Sequence, residues 1–143
     1  MNKPVLAIAS DHAGFELKAA IIATFGDLEW QDFGVHSPQT VDYPDTGYPA
    51  ARAVASGNCS KGILICGSGI GMSIIANRVS GIRAALCVNT EFARLSRQHN
   101  DANILVLPGR FIAIPYALEI VKTWLETSFE GGRHQSRLDK IDP

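Results

Sequence analysis

The sequence predicts an α/β fold: a three-layer sandwich with helices on both faces of a mostly parallel five-stranded sheet. Three observations predict it. Five short apolar runs recur along the chain, and each is followed by a helix-compatible segment. A glycine-rich turn, Gly67-Ser68-Gly69-Ile70-Gly71, stands where the third run gives way to its helix. The length of 143 residues suits one domain over residues 1–143. The repeated β-α order implies right-handed crossovers.

The first strand is expected at 5–9, directly after Met1-Asn2-Lys3-Pro4, which lacks a signal-peptide layout. Ser10-Asp11-His12-Ala13-Gly14 is the turn after it, where Ser10 or Asp11 can cap the following helix. Asp11 and His12 therefore stand at a strand's carboxyl end, where a cap or a solvated turn explains them as readily as chemistry. Phe15, Ala19, Ile22 and Phe25 fall at helical spacing and predict that helix's buried face. Residues 28–33 alternate imperfectly and read as an edge strand. Residues 34–49, with Pro38, Pro44, Gly47 and Pro49, read as the longest loop. Its Tyr43-Pro44-Asp45 offers either a lid or a plain surface connection. A helix over 50–56 is stopped by Gly57.

The third strand, Ile63-Leu64-Ile65-Cys66, is the centre of the chain. A helix is expected over 68–78. A strand, a glycine-rich turn and a helix N-terminus together place backbone N–H groups and a favourable dipole at one point. Open α/β sheets bind ligands at strand carboxyl ends, and Cys66 stands at one. The stretch reads as a site for a thiolate beside a developing oxyanion, although apolar strands followed by glycine are common and buried cysteines are usually inert. It is not a P-loop, because Met72 follows Gly71, and its spacing and position do not fit a dinucleotide fingerprint. It also lacks the arginine that would close a thiol-phosphatase loop.

A fourth strand is expected at 82–88, then a helix over 91–98 capped by Thr90. The fifth strand is expected at 104–107. His99 and Asn100 lie between that helix and that strand, on the face opposite the site in simple α/β geometry. Pro108-Gly109-Arg110 is a turn on the site's own face. Pro115 fits the first turn of a last helix carrying Leu118, Val121 and Leu125. The tail, 128–143, has little apolar periodicity. Arg133 and Arg137 are four apart, so on a helix they form a fork suited to phosphate, or simply a solvated basic tail.

Charge and composition narrow the function classes. The formal net charge of -1 gives no sign of a nucleic-acid or membrane-surface partner. The longest apolar runs fall short of the roughly 18 residues of a membrane span. Cys59, Cys66 and Cys87 are odd in number and widely spaced, which fits a reducing cytoplasm rather than a disulfide framework. Metal-ligand spacings such as CxxC or HxxxH are missing, so no metal is expected.

With these motifs together, the chain resembles the sugar-phosphate isomerase family that holds ribose-5-phosphate isomerase B and the galactose-6-phosphate isomerase subunits. The resemblance rests on Ser10-Asp11-His12-Ala13-Gly14, Asp42-Tyr43-Pro44, Gly62 to Gly69, Ala76-Asn77, Ser96 to Asp101 and Gly131-Gly132-Arg133-His134-Gln135. It runs essentially end to end and implies a Rossmann-like sandwich. It also implies an aldose-ketose isomerase without metal or organic cofactor, acting on ribose 5-phosphate.

In the family's cysteine branch the thiol moves the proton between C1 and C2, which implies Cys66. Another branch uses a glutamate at the position of Met72, and a thioether cannot take a proton. The oxyanion would be held by the backbone N–H groups of Gly67, Ser68, Gly69, Ile70 and Gly71 and by the Ser68 hydroxyl. The family often has threonine at that position. The resemblance makes His99 the ring-opening acid with Asp11 as companion. Asn100 would bind the sugar, and His12, Arg110, Arg133 and Arg137 the phosphate.

The family's site lies at a dimer interface, so a homodimer with shared sites is expected, with a tetramer of two dimers left open. The C-terminal tail would reach the partner. Two alternatives remain: a six-carbon sugar phosphate such as allose or galactose 6-phosphate, selected near Tyr43 and His99, and a non-catalytic sugar-phosphate sensor. The combination of Cys66, Asp11 and His99 argues against the sensor.

Overall fold

A computed structural model describes residues 3–143; the Met1-Asn2 lead-in lies outside the described residues. The chain alternates β1 (Val5–Ser10), a 3-10 turn (His12–Gly14), α1 (Phe15–Thr24), β2 (Glu29–Asp32), α2 (Tyr43–Ala55), β3 (Lys61–Cys66) and α3 (Ile70–Ala76). It continues through β4 (Ala84–Leu86), α4 (Thr90–Gln98), β5 (Ile104–Pro108), α5 (Ile114–Glu126) and α6 (Arg133–Leu138). The sheet order is β2-β1-β3-β5-β4. Every pairing is parallel, rather than mostly so.

Period-two alternation in the central strands separates two cores. Ala7, Ala9, Leu64, Cys66, Ile104 and Val106 face α2 and α3. Ile8, Ile63, Ile65, Leu105 and Leu107 face α1, α4 and α5. Each buried Leu or Ile contributes about 1.5–3 kcal/mol of apolar transfer. The three central strands are buried along nearly their whole length, which is why they read as continuous apolar runs. The edge strands β2 and β4 are half-wet and shorter than the 28–33 and 82–88 expected.

The structure corrects four local expectations. The buried residues of α1 are Leu17, Lys18 and Ile21, while Ala19 is exposed and Phe15, Ile22 and Phe25 are only partly covered. A lysine can take this inner position because Lys18 Nζ meets Asp32 at 2.6 Å. The stretch 34–49 is not all loop, because α2 begins at Tyr43, with Pro44 in its first turn and Pro49 inside it. Packing overrides the proline signal here: a Cβ on Gly47 would come 2.5 Å from Met72 Sδ, so α2 and α3 are in close contact. The cap of α4 is Asn89, whose side chain accepts from the Phe92 N–H at 2.7 Å, rather than Thr90. Finally, α3 covers only part of 68–78, because Gly69 takes a left-handed conformation (φ 78°) before it.

Candidate active site

The chain reverses its direction of travel across the sheet between β1 and β3. At such a switch point the turns after the two strands diverge and leave a crevice at their carboxyl ends. Backbone bonds tie the three turns there. The Asp11 N–H donates to Ile65 O at 3.2 Å, Gly109 N–H to Cys66 O at 2.8 Å and Arg110 N–H to Gly67 O at 3.0 Å. The turns also need glycine for close approach. A Cβ at Gly14 would lie 2.5 Å from Ile65 Cγ2, and one at Gly109 would lie 3.0 Å from Ala13 O.

Around this crevice the structure gathers ten of the fourteen predicted residues. Asp11 is buried, and its Oδ1 accepts from the Ala13 and Gly14 amides at 2.9 and 3.3 Å. It therefore caps the turn. His12 Nδ1 accepts from the Val41 N–H at 3.4 Å, which puts the proton of the neutral ring on Nε2. Cys66 points toward α2 and α3 in a cluster with Met72, with Tyr43 packed against it; it is 4% exposed in the single chain. Ser68 Oγ accepts from the Ile70 N–H at 3.2 Å. The Arg110 side chain lies along Gly67: a Cβ there would be 3.6 Å from its Cδ and Nη1. Gly71 lies against the Tyr43 ring. Tyr43 thus borders the turn as a helix residue, not as the tip of a lid.

The other four lie elsewhere in the chain. His99 and Asn100 precede β5, so its five residues, about 16 Å of strand, separate them from the Cys66 end. Arg133 and Arg137 are exposed on α6. The segment before α6 is bound to the end of α4 through Glu130 N–H to Gln98 O at 3.0 Å. The His134 ring stacks on that of His99 with centroids 4.4 Å apart. Beside them a cavity of about 350 Å³ runs along Leu86, Cys87, Phe92, Ser96, His99 and Asn100. A larger cavity of about 560 Å³, lined by Lys3, Leu6, Leu28 and Lys61, opens at the amino ends of the strands, away from the crevice.

A family model described as Ribose/Galactose Isomerase matches residues 6–141. The chain belongs to the ribose/galactose isomerase family. Ribose-5-phosphate isomerase B of Escherichia coli (strain K12) is 45% identical over 138 residues, covering 95% of this chain and 93% of that protein. The structure of Clostridium thermocellum ribose-5-phosphate isomerase B matches with a TM-score of 0.94 at 52% identity, covering 96% of this chain and 94% of that one. Ribose-5-phosphate isomerase B from Mycoplasma genitalium, solved with bound ribulose 5-phosphate, matches with a TM-score of 0.91 at 41% identity over 96% and 93% of the two chains.

In this member of the ribose/galactose isomerase family, sequence reading missed two residues beside the predicted set, Glu130 and His134. Each has its polar atom 3.6 Å from a neighbour in the His99 cluster. The spacing of four between Glu130 and His134 is the one signal in the sequence that pairs them. Burial pushes the Cys87 thiol from 9.0 up to about 11, which disfavours its thiolate form.

Proposed function

We propose that this protein interconverts ribose 5-phosphate and ribulose 5-phosphate by ring opening followed by enediolate proton transfer. The carrying observation is the position of Cys66. It ends the central strand at the switch point, beside the capped Asp11 turn and the Arg110 side chain. Cys66 takes the proton from one sugar carbon and returns it to the next. The amides of Gly67 to Gly71 and the Ser68 hydroxyl face the charge that develops on oxygen, the largest single contribution in such sites. Anchoring a distant dianion lets binding energy hold the reacting carbons in place. Arg110 and His12 serve that purpose from the Cys66 side.

The ring-opening acid His99, together with Asn100, Arg133 and Arg137, comes from a second copy of the chain. Two features support a homodimer with shared sites. The set of four lies on one end of the chain and the thiol on the other. In addition, Ile70, Ile74, Val88 and Phe92 are each 52–57% exposed on the elements flanking the β4 edge. Ile70 and Ile74 share one face of α3, and an exposed apolar helix face of this kind suits a partner surface. No helix among the described residues is long and apolar enough to cross a membrane. The three cysteines are all buried and unpaired, which supports a cytoplasmic setting.

A coupled isomerase assay across ribose, allose and galactose phosphates tests the reading, with Cys66→Ala as control. The expected result is the highest kcat/KM on ribose 5-phosphate and loss of turnover in the variant. A hexose phosphate preferred over ribose 5-phosphate reassigns the substrate, and full activity in the variant removes the thiol base.

A further inference from the structure

The end of α4 and the start of α6 bring three metal-ligating side chains together away from the Cys66 crevice. His99 Nε2 and His134 Nε2 each stand 3.6 Å from Glu130 Oε1, and the three donor atoms lie within 4.8 Å of one another. A separation of 3.6 Å is too long for a hydrogen bond. It is close to the about 3.3 Å that separates neighbouring ligands of a tetrahedral ion with bonds of about 2.0–2.1 Å.

A second observation points to a ligand. The His134 side chain is only 9% exposed, and its Nε2 is buried with no hydrogen-bond partner among the described residues. Buried polar atoms are rarely left in that state. This one stands 3.6 Å from Glu130 Oε1. We infer that His99, Glu130 and His134 form a binding site for a zinc-class divalent transition metal.

Two imidazoles and one carboxylate are a donor set suited to such an ion, with the fourth position left to water. Glu130 is half exposed, so the ion has a path in. The two rings are stacked at an interplanar angle of 16°, so an ion lying in both ring planes requires the stack to open. The terminal torsion of histidine is soft enough to allow this. Resting on the proposed role of His99, an ion on its Nε2 blocks proton donation and inhibits the isomerase.

The test is a Co²⁺ titration of the Cys66→Ala protein, followed by visible absorption. The expected result is a d–d spectrum of four- or five-coordinate Co²⁺, displaced by Zn²⁺, with no thiolate-to-cobalt charge-transfer band. Glu130→Ala and His134→Gln, each added separately, should weaken binding by roughly tenfold or more. Zn²⁺ should inhibit the wild-type enzyme, and Glu130→Ala should raise the inhibitory concentration by a similar factor. Absence of binding, a thiolate band, or spectra unchanged by both variants overturns the site. Binding with the expected variant pattern but without inhibition leaves the site standing and removes His99 from ring opening.

Discussion

Gly71 and Tyr43 meet so closely that any side chain at position 71 would overlap the tyrosine ring. A Cβ on Gly71 would lie 2.5 Å from Tyr43 Cζ and under 3.0 Å from both Cε atoms. Gly71→Ala must therefore push the Tyr43 ring away from the Cys66 turn. Overpacking of this kind costs about 1–3 kcal/mol of stability. A displacement of about 1 Å at a reacting centre costs about 100-fold in rate. The expected result is a folded protein with a lowered Tm and kcat/KM reduced by about that factor, checked by thermal unfolding and steady-state kinetics.

Removing the proposed base separates chemistry from binding. Cys66→Ala is expected to lower kcat by about 10²–10⁴-fold, the usual worth of a positioned proton-transfer group. Because phosphate anchoring depends on other residues, the Kd for ribose 5-phosphate from calorimetry should change by no more than a few fold. Loss of binding together with turnover would point to a structural role for Cys66 instead.

Shared sites make a distinctive prediction. Cys66→Ala and His99→Ala homodimers should each be inactive, but unfolding and refolding an equal mixture should restore activity. Half of the random dimers would be mixed and carry one intact site of two, so recovery should reach about a quarter of the wild-type level. No recovery would show that each chain supplies its own complete site.

The Lys18–Asp32 pair is the clearest stability test. Lys18 is 3% exposed and meets Asp32 at 2.6 Å, and Asp32 Oδ1 also accepts from the Gly34 N–H at 2.8 Å. Asp32→Asn leaves a buried ammonium without its counter-ion, at a cost of about 3–5 kcal/mol. Adding Lys18→Met should recover much of that loss. Urea unfolding of the single and double variants measures both.

Cys87 predicts alkaline sensitivity. Burial holds its folded thiol at about 11 against an ordinary 9.0, so the protonated form is favoured in the fold. Its contribution is fully present below pH 9 and is lost as pH rises from 9 through 11, because only the unfolded thiol ionises in that window. Two pH units correspond to about 2–3 kcal/mol. Unfolding free energies measured across this range should fall, and Cys87→Ala should flatten the decline.

The sheet and its motif were legible in the sequence because their causes are local. Ile63 to Cys66 and Ile104 to Leu107 read as strands because both sides of each are buried, and Gly69 marked the turn because the chain there must take a positive φ. Asp11 was legible as a cap for the same reason. The buried face of α1 was not legible, because Lys18 lies inside only through an aspartate 14 residues away. Nor was the extent of α2, where contact between Gly47 and Met72 outweighs Pro49 inside the helix.

The order of apolar runs and turns by itself determined an α/β sheet with a cysteine at the carboxyl end of its central strand. The local pattern encodes burial and backbone direction, and those suffice for that much. Only the tertiary structure decided that β1 and β3 form the switch point beside Arg110, that Tyr43 closes against Gly71, and that His99 meets Glu130 and His134 away from Cys66. Those relationships join residues tens of positions apart, and they exist only once packing has chosen which helix covers which face.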